Sequence, residues 1–239
     1  MKRKKKKNSF IKKIFIFVLA CIIFASAFVM GIGWIKYKEV TKRLSVDDAI
    51  AQVRATENYT KIDNISLTFI NAMVAVEDRR FYKHNGVDII GIARAVAKNI
   101  KDKTLSEGGS CITQQLAKNM YFINDNTFSR KIAEVFISIK LEKKLSKKEI
   151  LELYFNVIYY GSGYYNIYDA TMGYFNKTPA KISDYEATLL AGIPNAPSVY
   201  SLKNNPDLAK QRQKTVVKSM VEMRYLTEIE ASAILSRNK

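Results

Sequence analysis

The chain has 239 residues, of which 48% are hydrophobic and 26% charged, and this composition excludes an extended disordered protein. The formal net charge is +17; residues 1–13 carry eight basic residues and no acidic one, and the remainder is still basic at +9. Two cysteines and one histidine, far apart along the chain, exclude a disulfide framework and a zinc-binding spacing. The charge predicts an anionic partner, namely a lipid headgroup, a phosphorylated substrate or a nucleic acid.

The amino-terminal region predicts a single-pass membrane protein. Residues 14–35 are 22 consecutive residues without a formal charge, and about 20 helical residues cross a hydrocarbon core. The positive-inside rule makes residues 1–13 a cytoplasmic basic tail and places the rest on the extracellular or periplasmic side of the cell membrane. The alternative is a signal peptide cleaved after Ala25-Ser26-Ala27, but the apolar run continues past Ala27 and favours an uncleaved anchor.

The rest of the chain predicts a mainly α fold. Residues 36–60 are interpreted as a juxtamembrane linker with a short helix near Val46 to Ala55, and residues 61–239 as one catalytic domain. Strand signals are sparse. Helix starts are indicated by Ser66 before an apolar helical stripe reaching Phe81, by Asn205 before a proline, and by two capping boxes, which open at Ser146 and Ser183. The segment from Thr227 to Glu230 is predicted to open a last short helix.

Glu77 is the first candidate catalytic residue. On a helix it follows Val74 by three positions and precedes Phe81 by four, so its carboxylate lies on the apolar stripe. Desolvation there would raise its pKa and make it a better base near neutral pH. The structural alternative is a glutamate at the core edge, paired with Arg79 or Arg80.

Two later segments carry candidate binding residues. Gly108, Gly109 and Ser110 precede a predicted helix on which Gln115, Lys118 and Asn119 share one face, an arrangement that suits an anion and sugar hydroxyls. An ordinary capped helix is the alternative.

The segment RKIAE at residues 130–134 places Arg130 and Glu134 four positions apart among apolar neighbours. They form either an i,i+4 ion pair or part of a site for an anionic ligand. His84 is interpreted as a structural hydrogen-bonding residue and Cys111 as a small buried residue.

Five segments in chain order resemble the motifs of the peptidoglycan glycosyltransferases of glycosyltransferase family 51. They are EDRRFYKHNG at 77–86, GSCITQQLAKN at 109–119, RKIAE at 130–134, KEILELYFN at 148–156 and AGIPNAP at 191–197. The resemblance covers roughly residues 62–225. It implies a two-lobed, partly lysozyme-like α-helical domain with its cleft beside the membrane, and 61–239 as a glycosyltransferase domain. Because the chain ends at Lys239, a monofunctional enzyme is the expectation.

The resemblance also implies a chemistry, polymerisation of lipid II into β-1,4-linked glycan strands with release of undecaprenyl pyrophosphate. Glu77 would be the general base, and Glu134 would orient the cations or assist a divalent ion, Mg or Mn. The remaining site residues would bind the substrate: Ser110, Gln115, Lys118, Asn119, Arg130 and Lys131. No cofactor is certainly required. The expected partners are lipid II, the growing glycan chain, the membrane and other cell wall synthesis proteins, and no nucleic acid.

The sequence departs from the family pattern at a few positions. Cys111 stands where the family usually has threonine, and Asn126 where many members have an arginine, so one phosphate contact is expected to be absent. Asn166 and Asn176 replace common glycines, and asparagine tolerates positive φ better than most residues.

Three rival functions remain open from the sequence. A lytic enzyme that cleaves glycan would share the fold and the single glutamate, but it does not need the cations at Lys118 and Arg130. A tethered scaffold without activity draws support only from Cys111 and Asn126. A nucleic-acid binder rests on net charge alone and has no recognised motif.

Overall fold

The computed structural model describes residues 2–102, 108–123 and 125–237, with side chains from residue 13 onward, so the side chains of most of the basic tail lie outside the described ones. Within these residues there are helices and 3-10 turns and no β-strand, which confirms the mainly α prediction. The two-lobed, lysozyme-like arrangement stays a prediction. The helices are α1 Lys2–Arg43, α2 Val46–Arg54, α3 Leu67–Glu77, α4 Ile89–Asp102, α5 Ile112–Tyr121, α6 Phe128–Lys144, α7 Lys147–Val157, α8 Ile167–Phe175, α9 Asp184–Leu190, α10 Pro206–Glu222 and α11 Glu228–Ser236, with 3-10 turns at Ile62–Asn64 and Phe81–Lys83.

Helix α1 is long and apolar enough to cross a membrane, and its most apolar stretch is exposed. It continues past residue 35, where the predicted span ends, and its last turns pack on α6. A Cβ on Gly33 would lie 2.2 Å from the Ile132 side chain, so the two helices approach this closely only because residue 33 is glycine. Next to this contact, the ring centroids of Trp34 and Phe136 lie 5.2 Å apart. The anchor helix therefore also belongs to the packed structure.

The predicted linker at residues 36–60 is corrected by the structure. Helix α2 confirms the short helix, but it buries Val46, Ile50 and Val53 in the main core, because these apolar residues recur at helical spacing. The chain after α2 is held to α7, where Asn156 bonds both the N–H and the carbonyl of Thr60 at 2.8 and 2.9 Å. The folded domain therefore begins near residue 46, before the predicted boundary at residue 61.

Helix α3 crosses the core and contacts α9 and α10. Ser66 caps it as predicted, accepting a hydrogen bond from the Phe69 N–H. The helix ends at Glu77 and does not continue to Phe81, because Asp78 leaves helical geometry with φ −153° and ψ 79°. Its carboxylate then bonds two later segments. This ending places Glu77 at the helix terminus with its side chain facing α5.

The predicted helix starts are mostly confirmed. Capping boxes open α7, α9 and α11. At the start of α10 the proline occupies the first turn, but the Asn205 side chain makes no capping bond. Asn176 has φ 53° at the end of α8, as expected for a left-handed C-cap. Asn166 is extended at φ −143° and instead caps the start of α8 with its side chain, so positive φ is not required there.

Candidate active site

Glu77 lies in a pocket formed by α3, α5 and α7. Its Oε2 accepts a hydrogen bond of 2.8 Å from Gln115 Nε2, and the Tyr154 hydroxyl donates to Gln115 Oε1 at 2.9 Å. Oε1 of Glu77 is buried and has no hydrogen-bond partner among the described residues. Burial raises the pKa of Glu77, while the Gln115 bond and the charge of Arg212 lower it and Asp78 raises it further. A carboxyl with a raised pKa and one unbonded oxygen can accept a proton from a hydroxyl group.

The residue after Glu77 organises the start of α5. Asp78 accepts hydrogen bonds from the Ile112 N–H at 3.1 Å and from His84 Nε2 at 2.9 Å. Cys111 is buried, its thiol donates to the Gly86 carbonyl, and burial raises its pKa to about 12. At such a pKa the thiol is protonated and a poor nucleophile. His84 and Cys111 thus have the structural roles expected from the sequence.

A second group of charged residues lies on α6. The Glu134 side chain is 0% exposed and faces Arg130 Nη1 at 3.3 Å and Lys131 Nζ at 2.6 Å. Lys131 also donates to Ser110 Oγ at 2.7 Å. Nε and Nη1 of Arg130 are buried without hydrogen-bond partners among the described residues. Ser110, Arg130, Lys131 and Glu134 therefore form one unit, here called the cation cluster, whose positive charge can stabilise a nearby anion.

Helix α5 connects the pocket around Glu77 with the cation cluster. Ser110 precedes this helix and contacts the cluster, whereas Gln115, five positions later, bonds Glu77. Lys118 is exposed on the same helix, and among the described residues it forms no ion pair. Asn119 donates to the Gln115 carbonyl at 2.9 Å. Glu77 and the cation cluster thus both contact the short segment at residues 110–115. This arrangement fits a ligand with a reacting hydroxyl at one end and an anionic group at the other.

Two residues near Glu77 were not predicted. Tyr154 is fully buried, and burial together with the charge of Glu77 raises its pKa. Arg212 comes from α10 and attracts the Glu77 carboxylate. Tyr154 lies in the segment KEILELYFN at 148–156, but its position on the helix is one that any core tyrosine could occupy. Arg212 is 135 positions from Glu77, and no local pattern of a single sequence marks such a contact.

A comparison with protein-family models gives a match to the family described as transglycosylase over residues 46–221. The match covers most of the chain and starts at α2, where the folded domain begins. The chain belongs to the transglycosylase family.

Individual relatives of this transglycosylase fall into two sizes. A monofunctional glycosyltransferase of Staphylococcus haemolyticus is 39% identical over 98% of this chain and 86% of its own length. Penicillin-binding protein 1A of Neisseria gonorrhoeae is 46% identical over 71% of this chain but only 21% of its own length, so the chain spans about a fifth of that relative. The match to a crystal structure of penicillin-binding protein 1A from Haemophilus influenzae covers 76% of this chain and 17% of the penicillin-binding protein, with 20% identity and a TM-score of 0.46.

The transglycosylase offers no good place for a divalent ion at Glu134. Each oxygen of this carboxylate already faces a cation, and a metal ion would add positive charge beside Arg130 and Lys131. Asp78, His84 and Cys111 bring three potential ligand atoms within 4.8 Å of one another. Their hydrogen bonds to each other or to the neighbouring backbone account for this cluster as a structural unit.

Proposed function

We propose that this transglycosylase polymerises lipid II into β-1,4-linked glycan strands and releases undecaprenyl pyrophosphate, as a peptidoglycan glycosyltransferase in cell wall synthesis. The observation that carries the proposal is the pair of groups joined by α5, a partly buried carboxyl with a raised pKa and a cluster of cations. A sugar transfer with a pyrophosphate leaving group needs one base and several fixed cations, whereas a typical glycosidase uses two flanking carboxyl groups. The names of the full-length relative and of the family support the same activity.

In the proposed reaction Glu77 acts as the general base. Its free Oε1 takes the proton of the acceptor sugar 4-hydroxyl while that oxygen attacks the anomeric carbon of the donor. The bond from this carbon to the pyrophosphate oxygen breaks on the opposite face, so the configuration inverts. The electron pair leaves with undecaprenyl pyrophosphate, and the proton on Glu77 is later released to solvent. Gln115 orients the carboxyl by holding its other oxygen.

The cations on α5 and α6 would stabilise the leaving group. Arg130 is held beside the site by its ion pair with Glu134. Lys118 is exposed without an ion pair among the described residues. Both would contribute positive charge that stabilises the pyrophosphate oxygens. Lys131 is held by Ser110 and Glu134. Glu134 would act through these cations and keep their side chains in place, because no surface of it is exposed to a ligand. Ser110 and Asn119 would contact donor groups.

The position of the domain at the membrane fits a lipid-linked substrate. The apolar helix α1 packs on α6 next to Ile132, within the segment that carries the cation cluster. Helix α4 adds an exposed apolar face with Ile89, Ile90 and Ile100. With the basic tail in the cytoplasm, the domain lies on the extracellular or periplasmic side, where the growing glycan chain is the second substrate and other cell wall synthesis proteins are expected partners.

The test is incubation of the full chain in detergent with fluorescent lipid II, followed by gel analysis of the product. We expect a ladder of polymer that a muramidase degrades. The rival lytic function would shorten preformed glycan and leave lipid II unchanged. Lipid II left unpolymerised, with and without Mg²⁺ or Mn²⁺, together with intact preformed glycan, would instead favour a scaffold without activity.

A further inference from the structure

Helix α10 carries an arginine, Arg212, whose positive charge acts on the Glu77 carboxyl. The end of α3 is fixed on α10 by Arg79, which donates to Ser219 Oγ at 3.1 Å and forms an ion pair with Glu222. Arg212 lies seven positions before Ser219, which is about two helical turns, so the two residues share one face of α10. Helix α10 packs on α3. The cation is therefore positioned by two packed helices and not by a mobile loop.

The Arg212 side chain has a shaped place in the fold. A Cβ on Gly192 would lie 2.9 Å from Arg212 Cγ, so glycine at this position leaves room for the arginine stem. The guanidinium carbon lies 5.9 Å from the centroid of the Tyr200 ring, within the range of a cation–π interaction. Gly192 belongs to the segment AGIPNAP singled out in the sequence, and space for Arg212 is a physical reason for its glycine.

Arg212 and Glu77 are matched in charge and in unused hydrogen-bonding capacity. Nε of Arg212 and Oε1 of Glu77 are both buried and without hydrogen-bond partners among the described residues. The other groups that face Glu77 are uncharged or negative: Gln115 on α5, Tyr154 on α7, whose pKa is raised, and Asp78 beside it. Arg212 is thus the positive group that opposes the effect of burial on the pKa of Glu77.

We infer that Arg212 is a positioning residue that keeps the Glu77 carboxylate charged, and that Gly192 and Tyr200 hold Arg212 in place. The inference deepens the proposed function, since it rests on Glu77 being the base. In such a site the arginine acts on the proton-accepting ability of Glu77 and not on the affinity for pyrophosphate. Its removal therefore changes the dependence of the rate on pH, which a purely structural residue does not do.

The experiment compares the pH profile of lipid II polymerisation in the wild type, Arg212→Gln and Arg212→Lys, from about pH 5 to about pH 9. In Arg212→Gln the acid limb of kcat/KM moves to higher pH, and the ratio of the rate at the acid end to that at the alkaline end falls about fivefold or more. Arg212→Lys keeps the limb near that of the wild type. Lys214→Gln, an exposed lysine on the same helix, is the matched control for the loss of one positive charge.

A second readout does not depend on turnover. The titration of the Glu77 carboxyl is followed by ¹³C NMR, assigned by difference from Glu77→Gln, and its midpoint rises in Arg212→Gln. If the wild type fails to polymerise lipid II while this midpoint still rises, the proposed function fails and the effect of Arg212 on Glu77 stands. An equal loss of rate at every pH with an unmoved midpoint would overturn the inference. Should Arg212→Gln not fold, Gly192→Ala displaces the arginine stem and must shift the midpoint in the same direction.

Discussion

Two glutamates of this transglycosylase, Glu77 and Glu134, have opposite surroundings. Glu77 faces a neutral amide and keeps one oxygen unbonded, and burial raises its pKa. Glu134 is more deeply buried, but its two oxygens face Arg130 and Lys131. Burial alone therefore does not define the role of a carboxylate. The groups that contact it differ, since Glu77 bonds a neutral amide whereas both oxygens of Glu134 face cations.

The comparison is tested most strongly by Glu77→Gln. This change removes the proposed base, and we expect the rate of lipid II polymerisation to fall about a thousandfold. Stability should be unchanged or higher, because a neutral amide has a smaller desolvation cost than a carboxylate. Gel assays and thermal unfolding in detergent measure the two effects. Near-normal turnover would refute the role of Glu77 as base.

The same variant makes a prediction about pH. Because the folded-state pKa of Glu77 is raised, the folded protein holds this proton at pH values where the unfolded chain has lost it. The resulting loss of stability is absent below the unfolded pKa and grows as the pH rises through the folded pKa. The stability advantage of Glu77→Gln over the wild type should therefore increase with pH. Urea denaturation at several pH values measures it, and an advantage that shrinks with rising pH would contradict the raised pKa.

Lys118→Ala tests the contribution of a cation on α5 without disturbing the ion pairs of Glu134. Lys118 is exposed and has no ion pair among the described residues, so its removal should leave the thermal midpoint unchanged. If Lys118 stabilises the leaving pyrophosphate, the rate should fall about a hundredfold. An effect confined to thermal stability would favour a structural role.

Glu134→Gln should affect both rate and stability, unlike either preceding change. It leaves two cations without their buried counter-charge, so we expect a loss of about 2 kcal/mol in unfolding free energy and about a tenfold fall in rate. Asp47→Asn is a suitable control, since Asp47 is an exposed ion-pair partner of Lys144 and lies far from Glu134 in the sequence. If Glu134→Gln kept full stability but lost all turnover, Glu134 would have to contact the substrate directly.

The features that depend on the local spacing of residues were predicted from the sequence. The caps at Ser66, Ser146 and Ser183 and the ion pair of Arg130 with Glu134 follow from residues three or four positions apart. The distant partners of Glu77 did not follow, because helix packing brings Arg212 and Tyr154 to it. The packing of residues 36–60 was missed for the same reason. The apolar face of α2 is visible in the sequence, but the core that it covers is not.

Gly33→Val tests whether the anchor helix supports the cation cluster. The added side chain would collide with Ile132, which lies next to Lys131 on α6, and α1 would have to move away. We expect a smaller loss than at Glu134, a fall in rate of a few fold, about 1 kcal/mol in the barrier. Gly31→Val is the matched control, because a Cβ at Gly31 meets nothing within 4 Å. Equal effects of the two variants would show that helix composition matters and the contact with α6 does not.

Cys111→Thr should have the smallest effect, although Cys111 lies at the start of the helix that joins the two glutamates. The thiol is buried and protonated, and it serves as a small side chain that donates to the Gly86 carbonyl. Threonine keeps the volume and the donor, so we expect stability within about 1 kcal/mol and a rate within about twofold of the wild type. Both are measured in the assays used for Glu77→Gln. Cys111→Val, which keeps the shape and removes the donor, should be less stable than Cys111→Thr, since the Gly86 carbonyl would lose its bond inside the core. A large loss in Cys111→Thr alone would show that sulfur itself matters, and the three-residue cluster of Asp78, His84 and Cys111 would then need a role beyond packing.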